Sequence, residues 1–470
     1  MTKIQRFKYN LIGDKNFYRK VILILLPIII QNTVTNVVSL LDNVMVGRVG
    51  TLPMSAVAIV NQLLFIFNLC IFGGLAGAGI FSAQYAGADD HAGMRHCFRA
   101  KLYIGAAMLG IAFLVFLLAP KPLISMYLAE STSPADAEAT IGYGLQYLAI
   151  MLAGLLPFAV SQAYGSTLRE LGETRLPMIA SVSAILVNLV FNYILIFGDE
   201  GLPFLWFGPM GVAGAAIATV LSRYVEAIII ILFVHRNKQR FPFIKGVYRS
   251  FKIPLELCKR IGKRGLPLLV NEFLWSFGMA ILMQSYSIRG LEVVAATNIS
   301  STASNLFNVV FLSMGNALAI MVGQQLGANK AKEAKTTVWR LIALSVVACA
   351  CLGLIMYFLS SLIPMLYNTS ASVRNLAAQL IRIVGLMMPF YAFCHCCYFT
   401  LRSGGKTMIT FIFDCGFTWG IAVPMAFVLA NFTSLPILPL FFAVQAVDAV
   451  KCIIGFILIK KGIWINNIVE

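Results

Sequence analysis

Charge is what this 470-residue chain has least of: Asp, Glu, Lys and Arg together make up 12% of it. With 59% hydrophobic residues and a mean hydropathy of +0.85, too little polar surface remains to enclose a soluble core of this size, so a soluble globular domain is excluded. Acid is scarcer than base, at 19 residues against 36, and histidine is down to four. Disulfide-like spacing is missing too: most of the ten cysteines fall in apolar runs, among them Cys70, Cys351, Cys394, Cys396, Cys397 and Cys415, and read as small packing residues. The run Cys394-His395-Cys396-Cys397 matches neither a zinc spacing nor a haem attachment motif, so His395 reads as packed or cavity-lining. The glycine-rich Gly73–Gly79 lacks the strand and lysine of a phosphate loop. No nucleophile–base–orienter set stands out, which argues against an enzyme and against a cofactor. No short apolar core with a small-residue cleavage site follows the basic N-terminus, so no removable signal peptide is expected.

What is there is a series of apolar runs long enough to cross a bilayer, which takes roughly 20 residues per helix. They predict twelve helices, at 20–47, 53–86, 95–119, 137–168, 175–198, 208–235, 257–288, 292–327, 335–362, 373–401, 406–430 and 437–460. The net charge of +17 could suggest nucleic acid, but its distribution argues otherwise. Basic residues gather at both termini and in alternate loops: Lys3, Arg6, Lys8, Lys15, Arg19 and Lys20; Arg95, Arg99 and Lys101; Arg169 and Arg175; ten between Arg236 and Arg264; Lys330 to Arg340; Arg402 and Lys406; and Lys460 with Lys461. The intervening loops keep only Arg48, Lys121, Arg289 and Arg374. That is the positive-inside pattern, with both termini cytoplasmic and anionic lipid headgroups as partners of the basic clusters.

The two halves resemble each other. Pro27 and Gln31 recur as Pro267 and Asn271, 240 residues on, and 83–89 (AQYAGAD) recurs at that offset as 323–329 (GQQLGAN). Later the offset becomes 233, as Leu168-Arg169-x-x-Gly172-x-Thr174 returns as Leu401-Arg402-x-x-Gly405-x-Thr407. Six helices per half is an even number, so both halves enter the membrane the same way. The expected fold is therefore all-α and polytopic, with two six-helix lobes related by a pseudo-two-fold along the membrane normal. The N-lobe covers 1–235, the C-lobe covers 257–470, and 236–256 is a basic cytoplasmic linker about which the lobes can rock.

An ionisable group at membrane depth costs about 2.5 to 3.5 kcal/mol on insertion scales and usually faces protein or water. Five acids fall inside the predicted helices: Asp42, Glu226, Glu272, Asp414 and Asp448. Glu226 lies three residues from Arg223, and Asp448 three from Lys451, so each reads as a local ion pair. Asp42 and Glu272 have no basic neighbour in sequence and are the stronger candidates. Asn188 and Asn192 stand one turn apart in an apolar helix, and Ala215 and Thr219 repeat that spacing. One carboxylate with amide, hydroxyl and backbone oxygens would suit a hard monovalent cation. Plain interhelical hydrogen bonding is the alternative.

Pro27 with Gln31, 40–50 (LLDNVMVGRVG), 83–90 (AQYAGADD), 168–178 (LRELGETRLPM), 208–222 (GPMGVAGAAIATVLS) and 401–407 (LRSGGKT) together make the chain resemble the multidrug and toxic compound extrusion (MATE) family of cation-coupled exporters, over nearly its whole length. The resemblance implies Na⁺- or H⁺-coupled antiport of amphiphilic organic cations, drugs and toxins by alternating access, at a bacterial inner membrane and as a monomer. It places the coupling cation, including any Na⁺, at Asp42, Asn188, Asn192 and Thr219, with Ala215 beside them. Gln31, Asn271, Glu272, Tyr391 and His395 are the substrate-cleft candidates. The tenth-helix aspartate of one subgroup does not carry over, since Tyr391 stands in its place, and some relatives carry aspartate where Asn192 stands; Na⁺ and H⁺ both stay open. A lipid-linked-precursor flippase of the same superfamily and a membrane-embedded enzyme using His395 are the rival readings.

Overall fold

The structure, a computed structural model, describes residues 11–128, 133–201 and 208–470, without the side chains at 40, 43 and 44. Lys3, Arg6 and Lys8 therefore lie outside the described residues. Among these residues the chain is helical with no strands. The long helices are α1 (Lys15–Gly47), α2 (Thr51–Gly87), α3 (His91–Leu118), α4 (Pro134–Leu152 continued by Leu155–Glu170), α5 (Arg175–Gly201), α6 (Gly211–Arg236), α7 (Leu255–Ser287), α8 (Leu291–Gly327), α9 (Ala331–Leu359), α10 (Ala371–Ser403), α11 (Thr407–Phe432) and α12 (Ile437–Lys461). Eleven are long and apolar enough to cross a membrane unbroken. α4 is the twelfth, bent by 49° where one continuous helix over 137–168 was expected. The break falls at Ala153-Gly154, and α6 packs so close there that a Cβ on Gly154 would lie 3.1 Å from the Val220 side chain.

Two compact units divide these helices. One takes residues 1–29, 80–90 and 260–470; the other takes 30–79 and 91–259. The division cuts inside α1 and α2 as well as near the expected linker, because the first turns of α1 and the last turns of α2 pack with the C-terminal half.

In the first unit, Phe17, Val21 and Leu25 of α1 join a core with Met314, Leu318 and Val322 of α8 and Leu341 of α9. A second cluster joins α7 to α12 around Met356, Leu380, Ile381 and Met388. The repeated glycines make a reciprocal contact here. A Cβ on Gly87 would lie 1.9 Å from the carbonyl oxygen of Gln324, and one on Gly327 would lie 1.8 Å from that of Gln84. Only glycine allows the two backbones that approach. The turns that follow repeat as well. Asp89 and Asn329 both adopt φ 58°, the left-handed region that these two residue types tolerate. The 168–174 and 401–407 segments likewise turn on Gly172 (φ 83°) and Gly405 (φ 71°). The C-terminal segment after α12 folds back on Gln84, whose Nε2 donates to the carbonyls of Ser403 (3.0 Å) and Asn466 (3.1 Å), while the Ile468 amide donates to its Oε1 (2.8 Å).

In the second unit, Phe98 of α3 stacks edge-on against Tyr164 of α4 (4.7 Å between centroids) and Phe243 (5.5 Å). The basic segment after α6 is pinned rather than loose: Arg99 donates to the carbonyls of Val247 (2.8 Å), Gly246 (3.0 Å) and Lys252 (3.1 Å). Lys101, expected at a cytoplasmic rim, is fully buried and bonds Glu170 (2.6 Å), Ser166 and Thr167 (both 3.0 Å) of α4. The glycine run of α2 serves this packing, since a Cβ on Gly79 would meet Glu170 at 2.6 Å.

Gly327→Ala is expected to cost at least about 3 kcal/mol, the upper end for overpacking, because backbone rather than a side-chain tip blocks the added carbon. Thermal unfolding in detergent checks this, with Gly110→Ala, where a Cβ meets nothing within 4 Å, as the control.

Candidate functional site

The second unit gathers the polar residues of α1, α5 and α6. Gly214 sets the distance between α5 and α6: a Cβ there would lie 2.5 Å from the carbonyl oxygen of Leu195. That close approach, with Ala215, Ala216 and Ala218 buried around it, brings Thr219 against α5. Asn188 Nδ2 donates to Thr219 Oγ1 at 3.3 Å, and Thr219 donates to the carbonyl of Ala215 at 3.0 Å. One turn on, Asn192 Nδ2 donates to Asp42 Oδ1 at 2.5 Å and to Asn188 Oδ1 at 3.1 Å. The Asn188 amide can present either end. Turned over, its nitrogen meets Oδ1 and Oδ2 of Asp42 at 3.0 and 3.2 Å.

The structure thus brings Asp42, Asn192, Asn188, Thr219 and the Ala215 carbonyl into one chain of hydrogen bonds within a single unit. Its donors to a cation are all oxygens: a carboxylate, two amide carbonyls, a hydroxyl and a backbone carbonyl, a set that suits a hard cation. Asn192 Oδ1 is buried with no hydrogen-bond partner among the described residues, an acceptor to spare. No group of three or more His, Cys, Asp or Glu that could hold a transition metal occurs among them. Sequence reading missed Tyr147 of α4, which is buried and ties α4 to α2 by donating to Asn61 Oδ1 at 3.3 Å. A tyrosine in an apolar helix gives no spacing signal of such a role.

A second polar layer joins the same three helices. Gln31 Nε2 donates to Ser181 Oγ at 2.7 Å, and the Ser181 hydroxyl donates to Glu226 Oε1. The local pair expected between Arg223 and Glu226 does not form. Arg223 donates instead to the carbonyl of Gly154 (3.3 Å) and lies 5.1 Å over the Phe158 ring, drawn there by the bend of α4.

The first unit holds the counterpart of this layer. Asn271, the repeat of Gln31, donates to Asp414 Oδ2 at 3.1 Å, and Asp414 stands where the offset of 233 places Ser181. Lys451 of α12 donates to Asp414 Oδ1 at 2.7 Å, so the expected local pair with Asp448 is replaced by an interhelical one. α11 widens into two π-helical turns, Ile412–Gly416 and Thr418–Ala422, the first of which carries Asp414. Such turns are frequent at functional sites.

The other candidates each have a separate partner. Glu272 accepts from Tyr398 (3.2 Å) rather than from Tyr391, which donates to Gln445 (2.8 Å). His395 is packed by Phe311, Tyr398 and Phe399 at centroid distances of 5.3, 6.3 and 4.9 Å, with Nε2 lacking a hydrogen-bond partner among the described residues.

Comparison with known proteins adds the following. The family model MatE matches residues 27–194 and, again, 267–428, two stretches that begin at the repeated prolines. The "Probable multidrug resistance protein NorM" of Thermotoga maritima is 24% identical over 453 residues, covering 95% of this chain and 93% of its own. The "Probable multidrug resistance protein YoeA" of Bacillus subtilis is 25% identical over 441 residues, covering 93% and 92%. Among solved structures, the outward-facing conformation of a multidrug resistance MATE family transporter superposes with a TM-score of 0.83 at 20% identity over 97% of both chains. A mutant of the Vibrio cholerae MATE transporter VcmN gives 0.83 at 18% identity, over 95% of this chain and 97% of its own. At these identities the structural matches speak for the fold.

Lys451→Met strips Asp414 of its cation and is expected to cost about 3 to 5 kcal/mol, whereas the double variant Lys451→Met with Asp414→Asn recovers most of that loss. Unfolding midpoints of wild type, both single variants and the double variant measure the coupling.

Proposed function

The chain belongs to the MATE family of multidrug transporters, whose members are transporters and not enzymes, and we propose that it is a secondary active exporter that exchanges an inward-moving Na⁺ or H⁺ for an organic cation. The observation that carries this reading is the Asp42 carboxylate, held inside a membrane span by Asn192 and linked through Asn188 to Thr219. A lone acid there has the chemistry of an exchangeable ion site: it costs the fold when charged, and a bound proton or monovalent cation removes that cost.

In the proposed cycle, ion binding at Asp42 and drug binding favour different arrangements of the chain, so ion entry drives drug release outward. Each charge moved inward supplies about 2.3 kcal/mol per 100 mV and each charge carried outward on the drug costs the same, so a one-for-one exchange draws on the concentration gradient of the ion and only surplus ions draw on the potential. On this reading Asn188, Asn192, Ala215 and Thr219 hold the ion with Asp42. Glu272 meets the positive charge of the drug, and Asn271, Tyr391 and His395 lie on the same unit to receive its apolar and polar parts. Amphiphilic organic cations fit candidates that bring aromatic rings and one acid. The lobes at 1–235 and 257–470, the monomeric state, the inner-membrane location and cytoplasmic termini belong to the same proposal.

Asp42→Asn is expected to lower drug export at least tenfold in proteoliposomes given a Na⁺ gradient or a pH gradient separately, while leaving drug binding in detergent within a few-fold of wild type. Export at the wild-type rate under either gradient would remove Asp42 from the coupling scheme. The gradient that sustains wild-type export identifies the ion.

A further inference from the structure

α1, α5 and α6 are joined twice, and each junction contains one carboxylate. The first layer is Asp42 with Asn192, Asn188 and Thr219; the second is Glu226 with Ser181 and Gln31. Both α1–α5 contacts keep the same register, since Gln31 pairs with Ser181 and Asp42 with Asn192, each 150 residues on. Eleven residues separate Gln31 from Asp42 along α1, about 16 Å at 1.5 Å per residue, and seven separate Thr219 from Glu226 along α6, about 10 Å. We propose that Glu226, with Ser181 and Gln31, is a second proton-binding site on the same three helices as Asp42.

Three observations support it. Glu226 has no cationic group within ion-pair distance among the described residues, because Arg223, its neighbour one turn back, is turned to the Gly154 carbonyl and the Phe158 ring. Ser181, buried, gives its hydroxyl hydrogen to Glu226 and takes a hydrogen bond from Gln31, so a polar route leads from the carboxylate across α5 to α1. The counterpart layer in the other half is closed differently: Asp414 already has the Lys451 ammonium at 2.7 Å and the Asn271 amide at 3.1 Å. A carboxylate neutralised by a tethered ammonium has no need of a proton; one whose hydrogen-bond partner among the described residues is a hydroxyl, inside a membrane, gains by taking one. The charged and titratable groups facing Glu226 are Arg223 on its own helix and Arg169 of α4, which act through space and not by contact and favour the charged form against the larger cost of burial, with Tyr147 of α4 beyond Arg223. On the positive-inside reading of Arg169, Arg175 and Arg236, this layer lies toward the cytoplasmic ends of its helices, inward of Asp42. A proton held there is poised for release to the cytoplasm. The step is a protonation only: a proton adds to Glu226 Oε and later leaves to water, with no change of oxidation state.

The inference rests on the transport reading for its purpose but is tested apart from it. pH-difference infrared spectra of the reconstituted protein, recorded in H₂O and D₂O, are expected to show a protonated-carboxyl band that titrates in wild type, persists in Asp42→Asn and is absent in Glu226→Gln. Asp414→Asn should leave that band untouched. Spectra of Glu226→Gln that match wild type across the pH range overturn the proposal. If Glu226→Gln does not fold, Ser181→Ala decides: a shifted titration midpoint supports the site, and an unshifted one overturns it. Transport under an imposed pH gradient should fall about tenfold in Glu226→Gln and lose one limb of its pH profile. A Glu226 band accompanied by an Asp42→Asn protein that still exports would instead refute the antiport scheme and leave this site standing.

Discussion

The hydrogen bond from Asn192 to Asp42 is the contact on which the arrangement of the N-terminal half turns. A carboxylate placed at membrane depth must be satisfied by protein, and the partners available to Asp42 are two amides one turn apart on α5. Meeting that demand fixes α1 against α5. It also fixes α6, because the other end of the Asn188 amide faces the Thr219 hydroxyl and Gly214 removes the side chain that would hold the helices apart. α1 is at the same time shared between the two compact units, 15–29 in one and 30–47 in the other.

Much of this was legible in the sequence, for reasons that can be named. Spans were legible because lipid demands long apolar runs, and the internal repeat because two copies of one unit keep their glycines where backbones touch, as Gly87 and Gly327 do. Asp42, Asn188, Asn192 and Thr219 could be singled out because polar groups are rare in such runs and helical spacing puts them on one face. Partnership was harder to read. Arg223 with Glu226 and Lys451 with Asp448 have the spacing of local ion pairs, yet the first pair parts toward Gly154 and Ser181 and the second is replaced by Asp414. Spacing along a helix gives proximity only; a bend in α4, four residues before Pro157, and two π-helical turns in α11, the second ending two residues before Pro424, decide which neighbour is actually met, and a proline marks the break without naming the partner. Lys101 shows the same limit. Its place in a basic cluster reads as a rim charge, yet a partner 69 residues away, Glu170, allows it to be fully buried.

The repeat also shows what duplication preserves and what it frees. Position and contact are retained: Gln31 meets Ser181 as Asn271 meets Asp414, and each pair is completed by a residue of the last helix in its half, Glu226 or Lys451. Charge is not retained. One half closes the arrangement with an ion pair that needs nothing from outside. The other leaves an acid against a hydroxyl, one layer from a second acid against amides. A scaffold shared by both halves thus carries an interhelical ion pair at one copy of this layer and, at the other, an acid hydrogen-bonded to a hydroxyl. That difference in charge, more than the fold that both halves share, is what sets the two copies of the layer apart.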